Sequence, residues 1–561
     1  MPWVNGIWFD APAVKTAIND ANFQGAPNVG GLGVLLIGPS VDGKTNTLLG
    51  PFSTPNDAIT QLKGGDLLQG ILNTFAGATF VGGPVSISAI NVDELMPATS
   101  NIPSSGGVVQ IALTTVQQGL SANTNKWMVS AGSTVGYKVQ QASDYQGPAG
   151  RTYPSDSQDN ISLPILTIAC TAATPTVSAT DSALTVNSNG TVIATVALGS
   201  TVTVQQVVNQ LNQVSTITAS VADPNPSDTT AALFDNVTNG TLSATPTTLY
   251  GNVEAVVRYF NNANLYFTAV RQAGATAIQT SASWTYATGG TSTSATNADW
   301  QNAYTTAQST TGVTFVQPVS SAQSVWAMND AHCKYMASIG VPRRGYLGDA
   351  SGQSLTAEST AQAALNSNRS TLVWPEQQGT DYNGNTKVTF PPYLVACSIV
   401  GARAATPLYN ALTQQPVPSS GMAVTVTPAM VAQGLASGIA VVAPNQAGTV
   451  VLQQDRTTWL QSTAYDKVEN STGLCVDIVA QDLNATMQPF IGQPTPIGVA
   501  TAALFARLNY WYQQKYLVAQ PKLSDIQLTQ PAADQLAGSV LGAFAVPTNY
   551  IGLQLTPIAV A

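Results

Sequence analysis

The sequence predicts a multidomain protein of α/β and α+β class. The expected parts are an α/β core with a parallel-type sheet, β-rich inserted outer domains, and an extended strand arm at each terminus. Three observations predict this. Residues 311–406 alternate short apolar runs with amphipathic stretches, the pattern of a parallel sheet with helices on its faces. Residues 91–243 turn Ser/Thr/Asn/Gly-rich and strand-prone, like inserted material. And 561 residues are too many for one hydrophobic core.

At the N-terminus Gly6, Ile7, Trp8 and Phe9 form a strand-like piece with no evident partner nearby. Large aromatics on a terminal arm are a liability in a monomer, so the arm is expected to dock elsewhere. Residues 32–38 are a buried-type strand. It runs into Gly38-Pro39-Ser40-Val41-Asp42-Gly43-Lys44-Thr45, which matches the P-loop pattern G-x-x-x-x-G-K-T. A P-loop feeds a long helix, whereas Gly50-Pro51 would stop a helix here after about one turn. The expected structure is therefore strand, polar turn, strand. Thr54 then starts a helix carrying Leu62, residues 67–75 form another, and residues 85–90 alternate as a strand.

Within 91–243, residues 165–168 and 191–196 read as strands, with a turn at 187–190. A weak echo follows: a helix over 203–211 before a strand at 217–221, and a helix over 247–260 before a strand at 265–270. From residue 287 a Gly/Ser/Thr segment leads into the core block. There residues 313–316 are a strand stopping at Pro318. Val325, Met328, His332 and Met336 recur at helical spacing, predicting a helix over 321–338. Residues 344–348 and 370–374 are strands around an Ala-rich helix over 355–366, and an apolar helix closes the block. Residues 439–442 and 449–452 are further strands around a turn. A later helix carries Val479, Leu483, Met487 and Phe490 on one face and Gln481, Asp482, Asn484 and Gln488 on the other. Residues 501–518 form a long helix. The chain closes on a period-two strand with Ile551, Leu553 and Leu555 on one face.

Only 8% of residues are charged, against about 25% in ordinary soluble proteins. A surface of amides and hydroxyls costs less to bury than one of ions, which suits a protein with many neighbours. The net charge is −9, with no basic cluster beyond Arg343-Arg344, so no nucleic-acid partner is expected. No Lys or Arg lies between Arg151 and Arg258, where Asp156, Asp159, Asp181, Asp223, Asp228, Asp235 and Glu254 fall. This reads as a solvated outer domain. The cysteines Cys170, Cys333, Cys397 and Cys475 form no CxxC pair and are expected as buried thiols. No signal peptide is visible and no apolar run approaches the ~20 residues of a membrane span, so synthesis and assembly in a cytoplasm are expected, without membrane insertion.

Chemistry finds little footing. A Ser-His-Asp triad would have to use the single histidine, His332, which sits mid-helix on a packing face. The carboxyl ends of the predicted strands carry Gln317, Asp349 and Glu376, where an α/β sheet would bind a ligand, but nothing specific accompanies them. No metal-ligand cluster stands out. No catalytic, cofactor-binding or metal residue is assigned, and no cofactor is expected. The rival from another class is a nucleotide-binding enzyme using Gly38–Thr45, with Lys44 on the phosphates. It predicts ATP binding that is lost on Lys44→Ala. A surface-layer or adhesin protein would need an export signal.

Several short motifs occur in a telling order. Gly289-Gly290-Thr291 precedes a helix near Trp300 and a strand ending Val316-Gln317-Pro318. Leu365-Asn366-Ser367-Asn368-Arg369 leads to Leu372-Val373 and Pro375. Pro391-Pro392-Tyr393 is followed by Ala396, Gly401 and Ala404; then come Asp455-Arg456-Thr457-Thr458 and Pro489-Phe490-Ile491-Gly492. Together with the Gly33-to-Ser40 strand and turn, this order resembles the contractile tail sheath proteins of bacteriophages, a family shared with related contractile injection systems. The departures are the Lys44-Thr45 pair and the variable stretch 91–243.

The resemblance implies a structural subunit, not an enzyme. Stacked rings of such subunits surround a tail tube, and contraction drives the tube through the host cell envelope. Implied partners are other copies of the chain, the tail tube protein, and the baseplate and tail terminator proteins. The implied place is the virion tail, after assembly in the host cytoplasm. The implied division is 1–22 N-terminal arm, 23–95 first part of the core, 96–245 inserted outer region, 246–410 α/β domain, 411–545 C-terminal core domain and 546–561 C-terminal arm. The inter-subunit arm strands would use Gly6, Ile7, Trp8, Phe9, Ile551, Leu553 and Leu555. Gln481, Asp482, Asn484 and Gln488 are the candidates for a tube-facing helix.

Overall fold

The computed structural model describes residues 3–4, 7–8 and 32–548, less 84, 150, 492–495 and 533–534. The apolar runs of the core do form parallel strands, and these belong to a sheet larger than their neighbourhood in sequence. Its strands are β1 (Gly33–Gly38), β2 (Leu48–Phe52), β3 (Ser86–Asn91), β4 (Val313–Pro318), β5 (Gly345–Gly348), β6 (Ser370–Trp374), β7 (Ile439–Pro444) and β8 (Val450–Leu452). One four-stranded half has the order β4-β1-β3-β2 and the other β5-β6-β7-β8. Within each half the pairs are parallel except the edge, where β2 and β8 run antiparallel. A parallel bridge between Phe315 and Arg344 joins the halves: Val316 N donates to Arg344 O (2.9 Å) and Arg344 N to Thr314 O (3.0 Å).

Both faces of this sheet are covered, which is why its inner strands are continuously apolar. Along β1, Val34 and Leu36 face one core while Leu35 and Ile37 face another. The first face holds helices α1 (Pro55–Leu62), α2 (Gly65–Phe80), α6 (Pro392–Ala405), α8 (Asn470–Met487) and α9 (Ile497–Gln513). The second holds α3 (Asn297–Gln308), α4 (Gln323–Ser338), α5 (Leu355–Leu365) and α7 (Pro428–Ala436). Helices α2 and α6 cross closely because glycines meet backbone. A Cβ on Gly77 would lie 1.9 Å from Ser398 O, and one on Gly401 2.0 Å from Thr74 O.

Between β3 and α3 the chain builds two further cores. In one, the strands Glu94–Pro103, Val109–Gln118 and Phe267–Arg271 and the sheet around Asn125–Ala131 enclose the helix Asn252–Ala263, with Ile111, Val129, Phe260 and Phe267 buried. In the other, Pro164–Cys170, its neighbours and the helix Val204–Leu211 bury Ile165, Ile168, Val186, Val207 and Phe234. The β-rich character read from the sequence is therefore observed. All four cysteines are free and buried. Among the described residues, no helix is long and apolar enough to cross a membrane.

Some elements differ from expectation. The helix expected over 247–260 is a strand, Thr247–Tyr250, and then the helix Asn252–Ala263. The strand pairs with Pro164–Cys170, and the helix is capped from a distance: the Asp235 carboxylate accepts from Asn252 N (2.8 Å) and Val253 N (3.0 Å). The helix of 67–75 extends over Gly65–Phe80. The helix of 501–518 is Ile497–Gln513; it stops where Tyr516 folds under Trp511, ring centroids 4.7 Å apart. The strand at residues 7–8 does have a nearby partner. Trp3–Val4 pairs with Ile7–Trp8 in an antiparallel hairpin. Gly6, Phe9, Ile551, Leu553 and Leu555 lie outside the described residues.

Candidate functional site

The Gly38–Thr45 segment is a turn between strands, as its Gly50-Pro51 stop implied. Strand β2 follows it, not a helix. Buried Asp42 occupies the centre of the turn. Its carboxylate accepts from Gly43 N (2.7 Å) and Gln118 N (2.9 Å) and pairs with buried Lys63 (3.4 Å). The loop amides a phosphate would need are thus spent within the protein, Gly43 N on this carboxylate, Ser40 N on Asn91 Oδ1 (3.2 Å), Val41 N on Gly64 O (3.2 Å) and Asp42 N on Leu62 O (3.0 Å). Lys44 is exposed, and Thr45 Oγ1 donates to Asp93 O (2.6 Å).

His332 is a packing residue. Its ring lies 5.4 Å from that of Tyr304, and Nε2 is 3.0 Å from Arg343 Nη1. A guanidinium has only donors, so Nε2 accepts and the imidazole is neutral. Burial, and then Arg343, push its pKa down to about 4. Arg343 also donates to Ala307 O (2.7 Å) and Thr310 O (2.6 Å), closing the C-terminal end of α3.

The strand ends carry their polar side chains in structural roles. Gln317 Oε1 accepts from Tyr346 N (3.1 Å), Asp349 from Ala350 N (2.7 Å) and Glu376 from Gly352 N (3.2 Å). Sequence reasoning missed Glu358 beside them. It is 0% exposed in α5, and neither carboxylate oxygen has a partner. Burial, then Asp349 and Glu376, raise its pKa to about 8. The folded chain therefore holds a proton that the unfolded chain releases near its ordinary value of 4.5. Stability falls as pH rises from there through about 8, then levels off. Glu358→Gln should raise stability at pH 8 by about 2 kcal/mol, the amide itself lacking partners, and flatten that slope in urea titrations. An unchanged slope would contradict this. Among the described residues, no group of three or more His, Cys, Asp or Glu side chains could hold a metal ion.

The tube-facing candidates divide. Gln481 and Asn484 of α8 and Gln488 just beyond its end are exposed and line a groove of about 600 Å³ with Ser338, Ile339, Gly340 and Val341. Asp482 turns the other way, into an ion pair with Arg507 of α9, and accepts from Trp511 Nε1 (2.7 Å). Leu483 and Met487 pack on the main core.

Sequence reasoning also missed a hairpin, Ile526–Ala532 with Gln535–Val540. Its signal was the alternation of Ile526 and Leu528 with Gln527 and Thr529. Among the described residues these strands pair only with each other. From the hairpin the chain returns to the body. Val518 N donates to Ala543 O (2.8 Å), Ala545 N to Tyr516 O (3.1 Å) and Thr472 Oγ1 to Ala545 O (3.0 Å).

No protein-family model matches the sequence, and no curated protein matches it at a significant level. Solved structures do match. The sheath tail protein of Desulfitobacterium hafniense shares 11% identity at a TM-score of 0.53, over 92% of this chain and 93% of that one. A sheath tail protein of Listeria innocua shares 12% at 0.55, over 92% of each chain. The fold is that of the sheath tail proteins. In this sheath fold two of the short motifs meet in space. Thr458 Oγ1 donates to Ser367 O (3.0 Å) and accepts from Ser367 N (2.9 Å), and Leu460 N donates to Asn366 Oδ1 (2.9 Å). The Asp455–Thr458 turn is thereby tied to the junction between α5 and β6. Gly401 supplies the close crossing of α6 on α2. These two motifs and Gly401 belong to the scaffold of the sheath fold.

Proposed function

We propose that the chain is a structural subunit of a contractile tail sheath, which polymerises around a tail tube and contracts to drive the tube through the host cell envelope. One observation carries the reading: the sheath tail protein fold extends over 92% of the chain. The hairpin Ile526–Ala532 with Gln535–Val540 supports it, since it pairs with no other strand among the described residues and strand addition by a neighbour would extend it. The arm strands of residues 6–9 and 550–556 would join neighbouring subunits, with Ile551, Leu553 and Leu555 facing inward. At a net of about 0.5–1.5 kcal/mol per hydrogen bond, one arm contributes several kcal/mol.

In this reading the remaining surfaces follow. Gln481, Asn484 and Gln488 face the tube, and ring ends meet the baseplate and terminator. The subunit resides in the virion tail after assembly in the host cytoplasm. Extended sheath is metastable, and contraction releases energy stored at assembly without nucleotide hydrolysis by this chain. Negative-stain microscopy of the purified protein tests it. Striated hollow sleeves are expected; only dispersed globular particles, across salt and protein concentration, would sink the reading.

A further inference from the structure

Where α2 and α6 end, the body carries an open groove of about 780 Å³. Phe80, Tyr409, Asn410 and Gln414 line it, and among the described residues no charged side chain does. Phe80 is 54% exposed, a large ring left beside the opening. The wall is preformed. Arg403, 0% exposed, donates to Thr406 O (3.1 Å), Pro407 O (2.8 Å) and Asn410 O (2.5 Å), and Tyr409 stacks edge-on against Tyr516 at 5.9 Å.

The chain itself leads into this groove. After the contacts of Ala545 with Tyr516 and Thr472, Pro547 and Thr548 are part of the lining. Residues 549–561 follow, and they too contain no charge: Asn-Tyr-Ile-Gly-Leu-Gln-Leu-Thr-Pro-Ile-Ala-Val-Ala. Groove and segment match in chemistry, apolar rings and aliphatics with amides and hydroxyls, and the segment begins where the groove does. An apolar strand left free in a dispersed subunit would invite indiscriminate pairing.

We propose that the groove holds residues 549–561 of the same chain in the unassembled subunit, and releases them when a neighbour's edge competes for the strand. This rests on the arm reading above and adds an intramolecular resting place for the arm. The competition slows assembly of dispersed subunits, because only the fraction of arms free of the groove can pair with a neighbour.

Amide exchange on the full chain, kept dispersed at low concentration, tests it with wild type and Phe80→Glu. The wild-type amides of residues 550–556 should exchange at least about tenfold more slowly than in a free peptide. Phe80→Glu should remove that protection, leave α2 and α6 protected, and shorten the lag of assembly. Free-peptide rates in wild type would overturn the proposal. So would protection that survives Phe80→Glu, or that grows with protein concentration, which would mean a second copy fills the groove. Protection over residues 9–31 instead would assign the groove to the other end of the chain, which enters nearby through Leu32 N and Ala404 O (3.2 Å). The arm reading fails by a different result: sleeves that form without residues 546–561.

Discussion

A chain lacking residues 546–561 is expected to remain soluble and folded but to form no long tubes. The cut falls just after Ala545, so the contacts with Tyr516 and Thr472 that return the chain to the body survive. The hairpin Ile526–Ala532 with Gln535–Val540 also survives. What is lost is the segment bearing Ile551, Leu553 and Leu555. Several backbone hydrogen bonds at about 0.5–1.5 kcal/mol each, plus apolar burial, would vanish from every contact between subunits. Each 1.4 kcal/mol is about tenfold in an association constant, so the loss per contact reaches several orders of magnitude. Far-ultraviolet circular dichroism should match wild type and the urea midpoint should fall only slightly, by the docking of the arm on its own body, while sedimentation shows monomer and microscopy shows no sleeves. Normal polymerisation by the truncated chain would refute the arm reading.

What was legible in the sequence was whatever a segment does on its own account. Strands β4, β5 and β6 were readable because burial on both faces makes them continuously apolar, and α4 because its buried residues recur at helical spacing. Partners distant in sequence leave no such mark. Nothing in residues 33–38, 86–91 or 439–444 says that they extend the same sheet, since an apolar run fits either the centre of this sheet or another. The helix Asn252–Ala263 was placed too early because its cap, Asp235, lies in a different loop. Asp482 read as a surface acid because helical spacing does not reveal that Arg507 and Trp511 lie against it. Glu358 went unseen for the opposite reason: one acid in an Ala-rich helix looks like solvent-facing punctuation, and only burial shows otherwise.

The largest effect on the body itself is expected from Asp477→Ala. Asp477 Oδ2 accepts from Arg344 Nε (2.8 Å) and from Arg369 Nη1 (2.5 Å). The Arg344 side chain is 2% exposed, whereas that of Arg369 is 16% exposed. Arg344 is also the residue whose backbone joins the two halves of the sheet, and its Nη1 donates to Asn368 O (2.9 Å) just before β6. One carboxylate on α8 therefore neutralises the cation at the seam and ties that seam to the junction between α5 and β6. Removing it leaves a buried guanidinium unpaired, which costs about 3–5 kcal/mol. Arg369→Met should cost about 1 kcal/mol, since that cation reaches water and its partner keeps Arg344. The double variant Arg344→Met with Asp477→Leu should recover much of the loss, because apolar replacement removes the charge as well as its partner. Urea unfolding of the three variants decides it. Equal midpoints for Asp477→Ala and Arg369→Met would mean that the seam is held by backbone pairing alone, and that the stiffness of the body does not depend on this ion triad.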